Sequence, residues 1–230
     1  MIETFAPLWL TLKLATIVTF LLICLATPLA WWLARSPSRL APVVEALTAL
    51  PLVLPPTVLG FYLLLAFTPQ APFGAFWLQM TGQPLVFSFT GLVLASVIYS
   101  LPFAVQPLQA AFLNLPMGQL EAAQSMGAAR RDLFLSLILP LTRRGYLTAI
   151  VLSFAHTLGE FGIVLMVGGN IPGETRVVSI AIYEEVERMN YAAAHTLSGL
   201  LLALSFLILL VLYTVNARDR RQATQGRGAG

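Results

Sequence analysis

Long apolar runs separated by short polar segments are the dominant pattern of this chain. Five runs, at 8–34, 47–67, 85–105, 146–167 and 192–215, each hold at most one charged residue. Each is long enough to cross a hydrocarbon layer of about 30 Å as a helix. The pattern predicts an all-α, polytopic membrane protein with five transmembrane helices. The first run is read as a span rather than a cleaved signal peptide, because Glu3 and no basic residue precede it and the run is too long for a signal core.

Arginine placement predicts an orientation. Arg35 and Arg39 follow the first run, Arg130, Arg131, Arg143 and Arg144 lie between the third and fourth, and Arg218, Arg220, Arg221 and Arg227 follow the fifth. Ten of the thirteen basic residues thus fall on one side, which the positive-inside rule makes cytoplasmic. The opposite side receives the N-terminus, a charge-free loop at 68–84, and an acidic loop with Glu174, Glu184, Glu185 and Glu187. The N-terminus is expected outside, the C-terminus inside, and the polar tail 217–230 disordered.

Composition agrees. Hydrophobic residues make up 58% of the 230 and charged residues 10%, with mean hydropathy +0.83. Soluble domains carry about 25% charged residues. The net charge of +3 is spread over the ends of apolar runs rather than gathered in a stripe, which argues against nucleic acid. Cys24 is the single cysteine, so no disulfide can form within the chain.

The segment 106–143 is then the largest cytoplasmic insertion. Pro116 is expected to start a helix in it and Pro140 to end it. Ala122, Ala123, Gly127, Ala128 and Ala129 leave room for another surface to approach the backbone. Phe134, Leu135 and Leu137 offer apolar anchors, and Arg130, Arg131 and Asp132 a polar rim. The residues alone also fit an amphipathic helix lying on the membrane face.

Its spacing is informative. Glu121-Ala122-Ala123, Gly127 six positions after the glutamate and Leu139-Pro140 at the end of EAAQSMGAARRDLFLSLILP resemble the EAA loop of ABC importer permeases. Leu137 stands where the family has isoleucine, an apolar exchange. The resemblance implies that Glu121, Ala122, Ala123, Gly127, Arg130, Phe134, Leu137 and Pro140 couple the chain to a cytoplasmic ATPase. Two further segments, LPLVLPPTVLG from Leu50 to Gly60 and TLGEFGIVLMVGGNIPGETR from Thr157 to Arg176, resemble the molybdate transport permeases. That likeness runs over about 8–216, and its most discriminating piece is NIPGETR. Between Tyr183 and Thr196 the wording departs from some members, which leaves tungstate or another oxyanion open.

The resemblance implies one importer transmembrane domain, in the bacterial inner membrane, working by alternating access. It implies two ABC ATPase subunits that hold ATP and magnesium and a periplasmic molybdate-binding protein. Five spans are few for a pathway, so a second copy is expected. The chain has no GxxxxGK[ST] phosphate loop, no histidine–cysteine–carboxylate grouping at metal-ligand spacing and no catalytic triad. It is therefore expected to bind no cofactor or metal and to catalyse nothing itself.

Candidate pathway or gate residues are Pro55, Pro56, Thr57, Ser153, Thr157 and Glu160. Pro51, Pro55 and Pro56 would free the carbonyls of Leu47, Pro51 and Leu52 if the segment were helical, making a hinge or a packed kink. Thr57, Ser153 and Thr157 supply hydroxyls. His156 and Glu160, four apart, are expected on one face of span four, as a structural pair or as the proton relay of an ion-driven transporter. Glu160 is a poor ligand for a dianion. Arg176 is expected to pair with Glu174. A sulfate permease, an ion-driven secondary transporter and a non-transporting scaffold are the alternatives; the secondary transporter has no use for an EAA loop, and a scaffold predicts no stimulation of ATPase activity by a binding protein.

Overall fold

The computed structural model describes residues 2–227 and is helical in nearly every element. The order is α1 (Ile2–Arg35), α2 (Ala41–Ala49), a 3-10 turn (Leu50–Leu52), α3 (Pro56–Phe67), α4 (Pro72–Thr81) and α5 (Phe89–Leu113). Then come α6 (Met117–Ser125), α7 (Arg130–Leu133), a π-turn (Phe134–Ile138), α8 (Leu139–Leu158), α9 (Gly162–Gly168), α10 (Val178–Glu187) and α11 (Tyr191–Arg227).

Among the described residues, four helical stretches are long and apolar enough to cross a membrane: Ala6–Arg35, Phe89–Leu113, Arg130–Leu158 and Tyr191–Val211. A fifth exists if Ala41–Leu52 and Pro56–Phe67, bent by 110° at their junction, form one broken span. Helices α1, α5 and α8 pack on one another as the centre, and α11 lies outside against α8 and α10.

The reason is written in side-chain spacing. Leu10, Leu14, Val18, Leu22, Ala26 and Ala30 recur every four residues on α1 and are all buried. That row makes one seam, while Trp9, Phe20 and Leu25 on other faces stay exposed. A helix apolar all round but buried on one seam suits lipid on its remaining faces. Gly145 lets α8 approach α5 closely, since a Cβ there would lie 2.4 Å from the Ala111 Cβ.

Several expected boundaries move. The run 47–67 is not one straight helix. Val53–Pro55 interrupts it, Pro55 is extended at φ −55°, ψ 136°, and Pro56 occupies the first position of α3, where its missing donor costs nothing. Two prolines thus sit at a helix start rather than inside a kinked span. The charge-free stretch 68–84, expected as a loop, contains α4. The third helix continues eight residues beyond the expected end at 105, through Pro107, to Leu113.

The run 146–167 is likewise divided. Helical structure begins at Arg130, well inside the expected insertion, and α8 ends at Leu158. Pro140 does not end a helix: it follows a π-turn in which Leu139 N–H bonds to Phe134 O, five residues back. The wider turn accommodates a ring that a regular helix would drive against its own carbonyl. The last helix carries its backbone to Arg227, into the stretch expected as a disordered tail; 228–230 lie outside the described residues.

Candidate functional site

The break after α8 creates the first candidate site. Gly159 ends the helix, its N–H bonding to His156 O at 3.2 Å, and Phe161 precedes α9 at φ −127°, ψ −58°. Across from this break lies the start of α3, and Gly162 permits the contact: a Cβ there would come within 2.9 Å of the Pro56 Cβ. Between them is a cavity of about 530 Å³ lined by Pro56, Thr57, Tyr99, His156, Glu160 and Phe161, among others.

The structure therefore unites Pro56, Thr57 and Glu160, which are more than a hundred residues apart, and places Pro55 next to them. It separates Ser153 and Thr157 from the cavity. Both are buried on α8, with Thr157 Oγ1 donating to Ser153 O at 2.9 Å and lying 3.3 Å from Ser100 Oγ. Thr157 thus belongs to the α5–α8 seam, and neither residue lines the cavity.

His156 and Glu160 do not share a helix face, because the helix ends between them. The His156 ring stacks on Phe103 at 4.0 Å, leans on Tyr99 at 4.7 Å, and its Nδ1 is 2.8 Å from Ser100 Oγ. Glu160 is buried, with only 4% of its surface exposed. Neither carboxylate oxygen has a hydrogen-bond partner among the described residues, and neither has the buried Ser96 Oγ of α5. Its backbone carbonyl accepts from Ser179 Oγ at 2.6 Å, tying the break to α10.

The second candidate site is the segment expected to couple to an ATPase. Helix α6 presents Glu121 and Ala122 to the outside, and Met126 is 82% exposed. Gly127 turns the chain at φ +82° with open space around its α-carbon. Arg130 and Pro140 are exposed and Ala123 half-buried. Leu120 and Leu133 point inward, and Phe134 and Leu137 pack on the chain's own core, leaving Leu135 as the exposed apolar residue of the three anticipated anchors. Behind α6 is an apolar cavity of about 530 Å³ bounded by Trp31, Phe112, Leu120 and Phe134, with Gln124 and Arg130 also in its wall.

On the far side of the spans, Arg176 bonds to Glu184 and, through Nε, to Asn170 Oδ1 at 2.9 Å. Its partner is Glu184 and not Glu174, because the Ile171–Val177 turn sends Arg176 toward α10. That turn is closed by Thr175, whose Oγ1 donates to Gly168 O at 2.7 Å and accepts from Ile171 N at 3.1 Å. Arg188 also pairs with Glu184, at 2.5 Å. Burial works against ionising Glu184, but the Asn170 amide and the Arg176 and Arg188 guanidiniums outweigh it and hold its carboxyl below the usual range.

Sequence reasoning missed Tyr99, Ser100 and Phe103, which surround His156 from α5. The hydroxyls of Tyr99 and Ser100 within an otherwise apolar run were the available signal, and Phe103 gave none. The position of Arg35 was also missed, since its charge was read only for topology.

Broken helices around a cavity, with a polar element exposed beyond the ends of the spans, define a helical membrane transport subunit. The chain belongs to the family described as binding-protein-dependent transport system inner membrane component, which matches residues 26–222. It is 52% identical over 209 residues, 91% of this chain and 92% of the relative, to the molybdenum transport system permease protein ModB of Azotobacter vinelandii. To ModB of Escherichia coli K12 it is 34% identical, covering 79% and 81% of the two chains. The sulfate transport system permease protein CysT of Salmonella typhimurium is more distant, at 32% identity over 84% of this chain and 70% of its own. Among solved structures, the inward-facing MetNI methionine ABC transporter superposes with TM-score 0.68 at 18% identity, over 91% and 92% of the chains. A bacterial alginate ABC transporter gives 0.71 at 17%, over 94% and 78%. At such identities these two speak for the fold alone.

Proposed function

We propose that this chain is the permease subunit of an ATP-driven molybdate importer. The observation that carries this reading is the 52% identity to a molybdenum permease over nine-tenths of both chains, against 32% for the sulfate permease above. Tungstate, of the same shape and charge, is a second expected substrate.

In this reading the N-terminus is periplasmic, the C-terminus cytoplasmic, and two copies enclose the pathway. A periplasmic binding protein releases the oxyanion to the outer face. Two ATPase subunits, which hold ATP and magnesium, grip α6 and the turn through Gly127 to Arg130 from the cytoplasm. Their closure moves α7 and α8 as one unit, because the π-turn joins them without a break, and so alters the cavity at the far end of α8. The start of α3 suits an oxyanion there: Pro56 and Thr57 line the cavity, bringing a hydroxyl-bearing side chain and the positive end of a helix to it. Glu160 repels a dianion and acts as a gate element rather than a ligand.

Reconstitution with the ATPase and binding protein tests this by uptake of labelled molybdate. Uptake is expected only with ATP, with tungstate competing and excess sulfate not. Sulfate competing as well as molybdate favours the sulfate reading, and uptake without the ATPase favours an ion-driven transporter.

A further inference from the structure

Arg35, in the last turn of α1, does more than mark a membrane side. Its Nη2 donates to Phe112 O, a carbonyl in the last turn of α5, at 2.6 Å. Its Nη1 contacts Met117 Sδ, the first residue of α6, and its guanidinium lies 5.5 Å from the Trp31 ring centre. Trp31 meets Phe112 edge-on at 5.3 Å, and Phe112 meets Tyr146 of α8 at 6.2 Å. One guanidinium thus joins the ends of α1 and α5 to the start of α6, above an aromatic row that reaches α8.

This junction is mechanically placed. The side chain that α6 buries is Leu120, and the cavity behind it leaves the element loosely backed. A displacement of α6 reaches α8 through the backbone of α7 and the π-turn. It reaches α1 through Arg35. A planar fork with several donors can hold a carbonyl, a sulfur and a ring face at once, which a lysine ammonium cannot.

We infer that Arg35 is a positioning residue of the coupling machinery, holding the start of α6 at a fixed distance from the ends of α1 and α5 so that movement of α6 also moves α1. The inference rests on the reading that α6 and the turn after it dock the ATPase. The test is Arg35→Gln in the full assembly with ATPase and binding protein, measuring ATPase co-purification, ATP hydrolysis and oxyanion taken up per ATP. Arg35→Gln is expected to keep its ATPase and hydrolyse ATP, while uptake per ATP falls by about fivefold or more. Arg35→Lys, which can still reach Phe112 O, is expected in between. Uptake per ATP at the unaltered level in Arg35→Gln overturns the inference, and so does loss of ATPase binding, which would make Arg35 part of the dock itself. If Arg35→Gln does not fold, Met117→Leu keeps the volume and removes the sulfur contact. Its uptake per ATP must then fall by about twofold, and an unchanged ratio overturns the inference. Failure of the docking reading has its own signature: Gly127→Asp would assemble and transport normally whatever Arg35 does.

Discussion

Ser100 on α5 and His156 on α8 meet through a 2.8 Å contact between Oγ and Nδ1, with the imidazole stacked on Phe103. This cross-helix bond fixes the last turn of α8, from which the chain leaves helical geometry and forms the cavity wall. The pair is therefore a structural clasp beside the cavity. Ser100→Ala removes the bond and is expected to lower stability by about 1 kcal/mol, read as a reduced melting temperature in lipid nanodiscs. His156→Asn retains a group able to bond Ser100, so uptake should stay within about threefold of the unaltered protein. A well-folded His156→Asn with abolished uptake, or uptake driven by a proton gradient alone, would point to the relay instead.

Gly127 combines two requirements at one position. Its φ of +82° favours glycine, and nothing lies within 4 Å of the space where a Cβ would sit. A side chain there meets strain of about 1 kcal/mol but no internal clash. Gly127→Ala should therefore fold and retain partial coupling. Gly127→Asp adds charge and bulk to the exposed turn, and co-purification of the ATPase should drop by at least about tenfold with little change in thermal stability. Undiminished assembly and uptake in Gly127→Asp would sink the docking claim.

Gly145 has the opposite environment. A Cβ there would lie 2.4 Å from the Ala111 Cβ and 3.1 Å from Pro107 O, so α5 and α8 are in close contact at this level. Small residues allow such approach in membranes, where packing rather than the hydrophobic effect holds helices together. Gly145→Val must push the helices apart, and a loss of about 1–3 kcal/mol is expected. Ala111→Gly in the same chain should recover part of it, and no recovery would mean that the strain lies elsewhere.

Local pattern carried much of the fold. The apolar runs located most of the membrane-length helices, and the Glu121–Pro140 spacing fell on an exposed turn at Gly127, because both are properties of consecutive residues. The breaks were harder to see. Pro55-Pro56 reads equally as a kink or a helix start until Gly162 is seen to pack on Pro56. Gly159-Glu160-Phe161 lies inside a run apolar enough to pass for one span. Pro140 suggested an end because the π-turn that accommodates it has no sequence signature. The cavity joins Thr57 to Glu160 across more than a hundred residues, a proximity that helical periodicity does not encode.

The outer turn offers a pH test. Glu184 bonds with Arg176, Arg188 and Asn170, and these partners outweigh its burial to hold its carboxyl below the usual range. A carboxyl depressed in the folded state stabilises that state above its ordinary value of about 4.3, and the gain disappears as pH falls through the folded value. The stability difference between the unaltered protein and Glu184→Gln should be flat near neutrality and shrink below about pH 4. The measurement is thermal unfolding in nanodiscs across pH. A difference that stays constant as pH falls well below about 4 would mean that Arg176 and Arg188 do not hold the Glu184 carboxylate, and would dismiss the tie between the Ile171–Val177 turn and α10.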